Sequence, residues 1–223
     1  MAIILNIETS TTNCSVCIAE NGTPLVIKEI NKANYSHSEK LHVFIKEALK
    51  DASLSFDEID AIAVSEGPGS YTGLRIGVSA AKGLCFSLDI PLIAIPTLQV
   101  LAAQLHIQNG LVLALLDARR MEVYAAFYNS AIKEIKPTEA LIITEGSFKD
   151  QLNLGTVHFI GNGAAKCKEV IVHENAQFYT GEEVPSSREM ALLSFDAYKK
   201  SDFVDVAYFE PFYLKPFMLS GKK

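Results

Sequence analysis

The chain has 223 residues and 24.4 kDa, 49% of it hydrophobic and 21% charged, so it can build a sizeable core without disulfides or a structural metal. Asp plus Glu number 26 against 20 Lys plus Arg, a formal charge of -6 and a pI near 5.4, and this argues against strong RNA or DNA binding by the chain alone, because phosphate affinity comes from clustered positive charge. No apolar run reaches the roughly 18 to 20 residues that span a bilayer, and MAIILNIETS lacks a basic lead, a long apolar stretch and a cleavage site, so a cytoplasmic protein with no membrane partner is expected.

The first thirty residues carry three strand signals, at 3 to 7, 14 to 19 and 24 to 30, separated by polar ETSTTN and by an Asn21-Gly22 turn. They read as an antiparallel meander. A helix follows. Ser36 and Glu39 have capping-box spacing, and Leu41, Phe44, Ile45, Ala48, Leu49 and Ala52 repeat on one face. Residues 59 to 64 (IDAIAV) are nearly continuous in apolar character, as a strand covered on both faces is, and they run into SEGPGSYTG, a turn that opens a second helix. Across 74 to 88 of that helix only Arg75, Ser79, Lys82 and Ser87 are polar, while Gly77, Ala80, Ala81 and Gly83 leave its surface flat. A helix apolar nearly all round must be covered on more than one side; the sheet covers one, and the first helix or a partner protein must cover the rest.

A strand at 91 to 97 and a short helix at 98 to 106 lead to Gly110, which marks a lobe boundary. The second half echoes the first, with a hairpin at 111 to 118 and 122 to 128, a strand at 140 to 144, a strand entering a glycine turn at 157 to 165, and a helix at 186 to 200 capped by Ser186 or Ser187 with Glu189 in its first turn. PFYLKPF at the end is expected to pack back on the body. The pattern predicts an α/β protein of two related lobes, residues 1–100 and 101–223, with a cleft between them.

Cys14 and Cys17 sit three apart in a strand, so their sulfurs point to opposite faces; they and Cys85 and Cys167 read as ordinary buried thiols. The five histidines have no spacing that puts two imidazoles on one helix face, which disfavours a protein-built catalytic metal site.

Three turns sit at strand ends, where open α/β folds bind ligands. Glu8-Thr9-Ser10-Thr11-Thr12-Asn13 offers hydroxyls, backbone N–H groups and one carboxylate, a composition that either wraps a phosphate with its magnesium or forms a solvated hairpin loop. Gly67-Pro68-Gly69-Ser70-Tyr71-Thr72-Gly73-Leu74-Arg75 runs into a helix N-terminus, where an anion is favoured; it fits neither common glycine-rich nucleotide signature, and Ser70 is not set as a hydrolase nucleophile. Its bland reading is a structural turn. Gly161-Asn162-Gly163-Ala164 either approaches an adenine or ribose or, as such common turns more often do, forms a plain turn. Arg75, Asp117 and Arg119 are either cleft residues or members of structural ion pairs.

AVSEGPGSYTGLRIGVSAAKGLCFSLDIPLIAIPTLQVLA closely resembles the bacterial TsaB family, formerly YeaZ, whose pattern is GPGS-aromatic-TGLRIG followed by an alanine- and glycine-rich helix. NIETSTTNCSVCIAENG, HSEKLHVFIKEAL, LLDARRMEVYAAFY, GNGAA and EPFYLK extend the resemblance from about residue 3 to about residue 214. It implies an actin-like, Hsp70-like, sugar-kinase-like fold with a reduced second lobe. It also implies a part in making N6-threonylcarbamoyladenosine at the adenosine 3′ of the anticodon, in tRNAs reading codons that begin with A. TsaB proteins are paralogues of the transferring subunit TsaD and pair with it in a complex that engages the ATPase TsaE. The resemblance thus implies a dimerisation and activation subunit that meets tRNA only through the complex, and it leaves open a homodimer or a monomer when the chain is alone. It would hold no nucleotide firmly, with ATP or ADP and magnesium at the complex interface. TsaD's two metal-binding histidines correspond to Thr97 and Leu101 here, which implies the non-catalytic partner. By the same resemblance the two proteins associate through their first two helices, so Gly77, Ala81 and Leu84, with Leu41 or Phe44, are expected to serve the core and the interface between them. The competing reading is an independent ATP-dependent phosphotransferase or ATPase, with Glu8 on the magnesium side and the 67–75 turn on phosphate.

Overall fold

The computed structural model describes residues 1–32, 37–181 and 183–215. IILNIE forms β1 (Ile3–Glu8), paired antiparallel with β2 (Asn13–Glu20), which pairs antiparallel with β3 (Thr23–Asn31). Asn21 and Gly22 between β2 and β3 are both left-handed, at φ 47° and 83°, the conformation that favours this residue pair in a tight hairpin. The chain then forms α1 (His37–Asp51), β4 (Ala61–Gly67), α2 (Tyr71–Leu88) and β5 (Leu92–Pro96). β4 joins β1 and β5 joins β4 in parallel, giving the order β3-β2-β1-β4-β5. The capping-box serine expected before α1, Ser36, lies outside the described residues.

After α3 (Thr97–Ala102) come β6 (Leu111–Asp117), β7 (Glu122–Tyr128), β8 (Glu134–Ile142), α4 (Lys149–Leu154), β9 (Val157–Ile160), α5 (Ala164–Lys168), β10 (Ala176–Phe178) and α6 (Ser187–Lys199). The second sheet, β8-β7-β6-β9-β10, repeats the first strand for strand, with the same antiparallel and parallel pairings. This duplicated α/β unit is the two-lobed fold of the actin-like, Hsp70-like and sugar-kinase-like proteins. The second lobe is the reduced one: α4 and α5 have 6 and 5 residues where α1 and α2 have 15 and 18. α4 and β10 carry too few apolar residues to announce themselves in the sequence. β8 begins at Glu134, before the expected 140, because Lys136-Pro137-Thr138-Glu139 conceals an edge strand, the one place in a sheet that tolerates proline. α3 ends at Ala102 rather than at 106.

Both faces of the first sheet are buried around β1 and β4, which explains why these strands are apolar along most of their length. Ile3, Leu5, Ile7, Cys14 and Val16 face α1 and α2, whereas Ile4, Ala61, Ala63 and Ile93 face Val100 of α3 and Met190 of α6. Cys14 and Cys17 enter different clusters on opposite faces, and all four cysteines are buried free thiols. α6 follows the second sheet in sequence yet packs on the first, against β1 and β2, so the chain crosses back over the boundary expected near residue 100. Its docking face is polar as well as apolar. Ser187 hydrogen-bonds Ser15 at 2.5 Å, Ser186 donates to Glu29 at 2.8 Å, and Ser194 donates to the fully buried Asn6 Oδ1 at 2.6 Å. Ser186 also caps the helix by accepting from the Arg188 N–H.

Removing one partner of a buried hydrogen bond leaves the other desolvated. Ser194→Ala is therefore expected to lower the unfolding free energy by about 1–3 kcal/mol, read from the urea midpoint.

Candidate functional site

The turn between β1 and β2 and the turn before α2 meet face to face. A Cβ at Gly69 would fall on the Ser10 backbone, and one at Gly73 or Gly77 on the Thr9 carbonyl oxygen or hydroxyl. Three glycines spaced by four give α2 a face without side chains, and the 9–10 backbone lies directly on it. The contact is hydrogen-bonded throughout: the Ser70 N–H donates to the Ser10 carbonyl at 2.6 Å, Thr9 Oγ1 donates to the Gly73 carbonyl at 2.8 Å, and Ser70 Oγ caps the helix by accepting from the Gly73 N–H at 3.3 Å. His37 at the start of α1 closes the joint from the side. Its Nε2 lies 2.8 Å from the Thr11 carbonyl, which only accepts, so that nitrogen carries the proton, and burial holds the imidazole below its ordinary value.

Neither sequence reading of the 8–13 loop holds in its simple form. Glu8, Thr9, Ser10, Thr11 and Asn13 are buried, so the loop is not a solvated hairpin. Nor does Glu8 face outward as a magnesium carboxylate. One of its oxygens accepts the Ser10 N–H at 2.5 Å and the other accepts the Ser65 hydroxyl. Burial pushes its carboxyl above the usual range, opposed by those hydrogen bonds. These residues do not fit a cleft-facing magnesium, which removes the carboxylate on which the independent phosphotransferase reading relied.

Above the joint, between the lobes, lies a cleft of about 660 Å³, inside the roughly 300–1,000 Å³ range of small-molecule sites. Of the sequence-predicted candidates, Ser10, Thr11, Gly69, Ser70, Tyr71, Thr72, Gly73, Asp117 and Arg119 line it; Glu8 and Thr9 lie beneath, and Arg75 reaches it only by stacking its guanidinium on the Tyr71 ring at 4.3 Å. Asp117 is both a cleft residue and an ion-pair member. It accepts from Lys166 at 2.8 Å, and Lys166 also donates to the carbonyls of Arg120 at 2.7 Å and Glu122 at 3.1 Å. That single ammonium ties down a turn in which Arg119 and Arg120 are both left-handed, at φ 70° and 51°. Asn162 of the glycine turn accepts the Asp117 N–H at 2.8 Å. Sequence reasoning missed His37 and Tyr124, had Asn162 only as part of the glycine turn, and expected Phe212, Tyr213 and Lys215 to pack back without indicating where. They line this cleft.

Residues 30–208 match the family model described as TsaD: tRNA N6-adenosine threonylcarbamoyltransferase. Over 219 residues the chain is 30% identical to the tRNA threonylcarbamoyladenosine biosynthesis protein TsaB of Escherichia coli, covering 95% of this chain and 94% of that one. The chain belongs to the TsaB (YeaZ) family. It is also 41% identical over 108 residues to the tRNA N6-adenosine threonylcarbamoyltransferase of Bacillus thuringiensis, across 42% of this chain and 32% of that one. YeaZ from Pseudomonas aeruginosa has the same fold, with a TM-score of 0.79 at 25% identity over 96% of this chain and 100% of that one.

Within the TsaB family fold, Thr97 and Leu101, which the resemblance aligned with TsaD's metal histidines, are fully buried in α3. Leu101 packs among Leu98, Val112, Ala114 and Ile160 where the lobes meet. A thioether-free aliphatic side chain in such a cluster does not fit a transition metal. The expected interface set also divides. Leu41, Gly77 and Ala81 are buried inside this chain, Gly77 against Thr9, while Phe44 and Leu84 are half-buried. Gly77 is thus an internal contact, because the 8–13 loop already occupies the space beside it.

Two outcomes test this packing. Gly77→Leu is expected to destabilise by about 1–3 kcal/mol through overpacking, seen as a lower thermal midpoint of the isolated chain; a midpoint equal to the parent's would contradict the joint. For Glu8, the folded state holds a proton that the unfolded state releases near 4.5, so its contribution falls as pH rises above that value. Glu8→Gln keeps the Ser10 N–H bond at its amide oxygen, turns the Ser65 contact round so that its amide N–H donates to the hydroxyl, and should gain on the parent as pH rises above 4.5, measured by urea unfolding at several pH values. A parent and variant that differ by a constant amount would refute the buried, proton-holding carboxyl.

Proposed function

We propose that this chain is the dimerisation and activation subunit of a complex that forms N6-threonylcarbamoyladenosine in tRNA. It binds a TsaD-type catalytic subunit, enables threonylcarbamoyl transfer to the adenosine 3′ of the anticodon, and does not perform the transfer itself. The observation that carries the reading is the outer face of α2. Phe86 is 83% exposed, Gly83, three positions before it, has nothing within 4 Å of where its Cβ would be, and Ile76 and Ala80 on the Gly83 side are only half-buried. Val43, 43% exposed, and half-buried Phe44 continue this apolar surface on the adjacent α1. An exposed aromatic beside a side-chain-free position on a long helix suits close approach by another helix, and burying that ring supplies binding energy.

The likeness of the chain both to TsaB and to a threonylcarbamoyltransferase supports partners of common fold meeting through equivalent helices. Buried Thr97 and Leu101 support a non-catalytic role. Nucleotide, ATP or ADP with magnesium, then belongs to the assembled complex rather than to the free chain, as does tRNA, in keeping with the net charge of -6. The same α1–α2 face is the surface through which the chain would homodimerise without its partner, and a TsaE-type ATPase would join the assembled pair.

The test is the mass, by light scattering on a sizing column, of the chain mixed with the TsaD-type protein of its own organism. A one-to-one heterodimer is expected. Phe86→Asp should weaken it by roughly tenfold or more, the scale of an interface hot spot, while changing stability by no more than about 0.5 kcal/mol, as surface substitutions do. Two proteins that elute independently would refute the reading.

A further inference from the structure

After α6 the chain runs back along the first lobe and then over the mouth of the cleft. Val204 bridges to Leu92 at the sheet edge, and Lys82 of α2 donates to the carbonyls of Ala207 at 3.1 Å and Phe209 at 2.9 Å. The Phe212 N–H donates to the Glu66 carbonyl at 2.7 Å, and Gly67, at φ 120°, leaves room for the Phe212 carbonyl that a Cβ would strike. Beyond this anchor the contacts change character. The Tyr213 ring lies on the Tyr71 ring with centroids 4.9 Å apart and planes at 37°, Lys215 reaches the Glu122 carboxylate of the second lobe, and its ammonium is 5.9 Å from the Tyr124 ring.

We propose that residues 211–215 are a strap that closes the cleft of the free chain, and that Tyr213 occupies the stacking place of the base of a phosphorylated nucleoside. Tyr71 is already an aromatic platform. Its ring touches the Arg75 guanidinium as well as Tyr213, and an aromatic face accepts any base. The phosphate side is supplied by exposed Arg119 on its fixed turn, with Thr12 and Thr72 among the residues that line the same cleft. Of the chain's four arginines, Arg119 lines the cleft, Arg75 stacks on a lining tyrosine and Arg120 adjoins Arg119, so positive charge gathers at this mouth despite the net charge of -6.

The strap is built to be displaced. The Tyr213 hydroxyl is buried with no hydrogen-bond partner among the described residues, a cost that release removes. The Lys215–Glu122 pair is partly exposed, with side chains 38% and 25% accessible, and such pairs add little. Upstream, the Phe212 and Lys82 contacts keep the strap at hand to reclose. The inference deepens the reading that nucleotide belongs to the complex, and its test needs no partner, so its failure leaves the TsaD-binding reading standing.

The experiment is calorimetric titration of the full-length chain, Tyr213→Ala and Lys215→Glu with ATP, with ADP and with a short single-stranded oligoadenylate. Both variants are expected to bind at least one probe about tenfold more tightly than the parent, the scale of one stacking contact, and Tyr213→Phe, which keeps the ring and loses the unpartnered hydroxyl, should bind no more tightly than the parent. Tyr71→Ala added to Tyr213→Ala should remove the gain. A gain on ATP or ADP alone identifies a free nucleotide, and one on the oligonucleotide alone a nucleotide within RNA. Variants that match the parent on every probe, with unchanged thermal midpoints, would overturn the strap, as would a gain that survives loss of Tyr71.

Discussion

The backbone of Thr9 and Ser10 rests on a helix face that has no side chains, and much of the rest of the site follows from that contact. Gly69, Gly73 and Gly77 give the room, and any Cβ there would hold the two turns apart. Once they meet, the loop is sealed, Glu8 is cut off from water and must satisfy both oxygens internally, and the first turn of α2 is capped from within by Ser70. The orientation of α2 is fixed at the same stroke. Phe86 is nine positions beyond Gly77, and at about 100° per residue nine steps end half a turn away. Pressing Gly77 inward therefore turns Phe86 outward.

A second constraint joins the lobes. α3 is only six residues long, yet Val100 enters the cluster under the first sheet while Leu98, Leu101 and Ala102 enter the one under the second. α6 then returns from the far lobe and fastens by three serines to β1, β2 and β3. The termini of the two repeats are thus interleaved, and cutting the chain near residue 100 would leave the first sheet with an uncovered apolar face. The cleft sits between lobes tied at its floor by α3 and at its mouth by the 211–215 segment.

The strand order of the first lobe was legible because its strands are either doubly buried, and so apolar along most of their length, or bounded by a turn that needs its residues, as at Asn21-Gly22. The order was less legible in the second lobe, where α4, α5 and β10 are too short for periodicity to register. The glycine turn was seen as a candidate phosphate cradle because glycine before a helix N-terminus serves that purpose. A sequence does not reveal which backbone approaches a missing Cβ, and here it is the chain's own. For the same reason Gly77 was assigned in part to a partner surface when its neighbour is Thr9. Phe86 gave the opposite difficulty. Arg75, Ser79 and Lys82 mark one outward stripe on this helix and Phe86, four positions past Lys82, extends it, but an apolar ring at the end of a polar stripe is not by itself marked as a contact.

These observations bear on how a scaffold shared with a transferase serves binding on the reading proposed here. Chemistry at an interlobe cleft needs donor atoms that face it and remain unsatisfied until a ligand arrives. In this chain Leu101 packs between the lobes, the Thr97 hydroxyl is buried with no hydrogen-bond partner among the described residues, Glu8 is satisfied by Ser10 and Ser65, and Asp117 is held by Lys166. Each substitution of an internal partner for a ligand makes the apo fold more self-sufficient. Two of the groups that stand open to a second molecule are the ring of Phe86, largely surrounded by water, and exposed Arg119 at the cleft mouth. Burial of the first gains free energy on association with an apolar helix face, and pairing of the second with an anion gains most when water is excluded from the cleft. Both call for a second molecule, and they do so on different faces of the lobes, so a partner on α2 and a ligand in the cleft are free to be bound together.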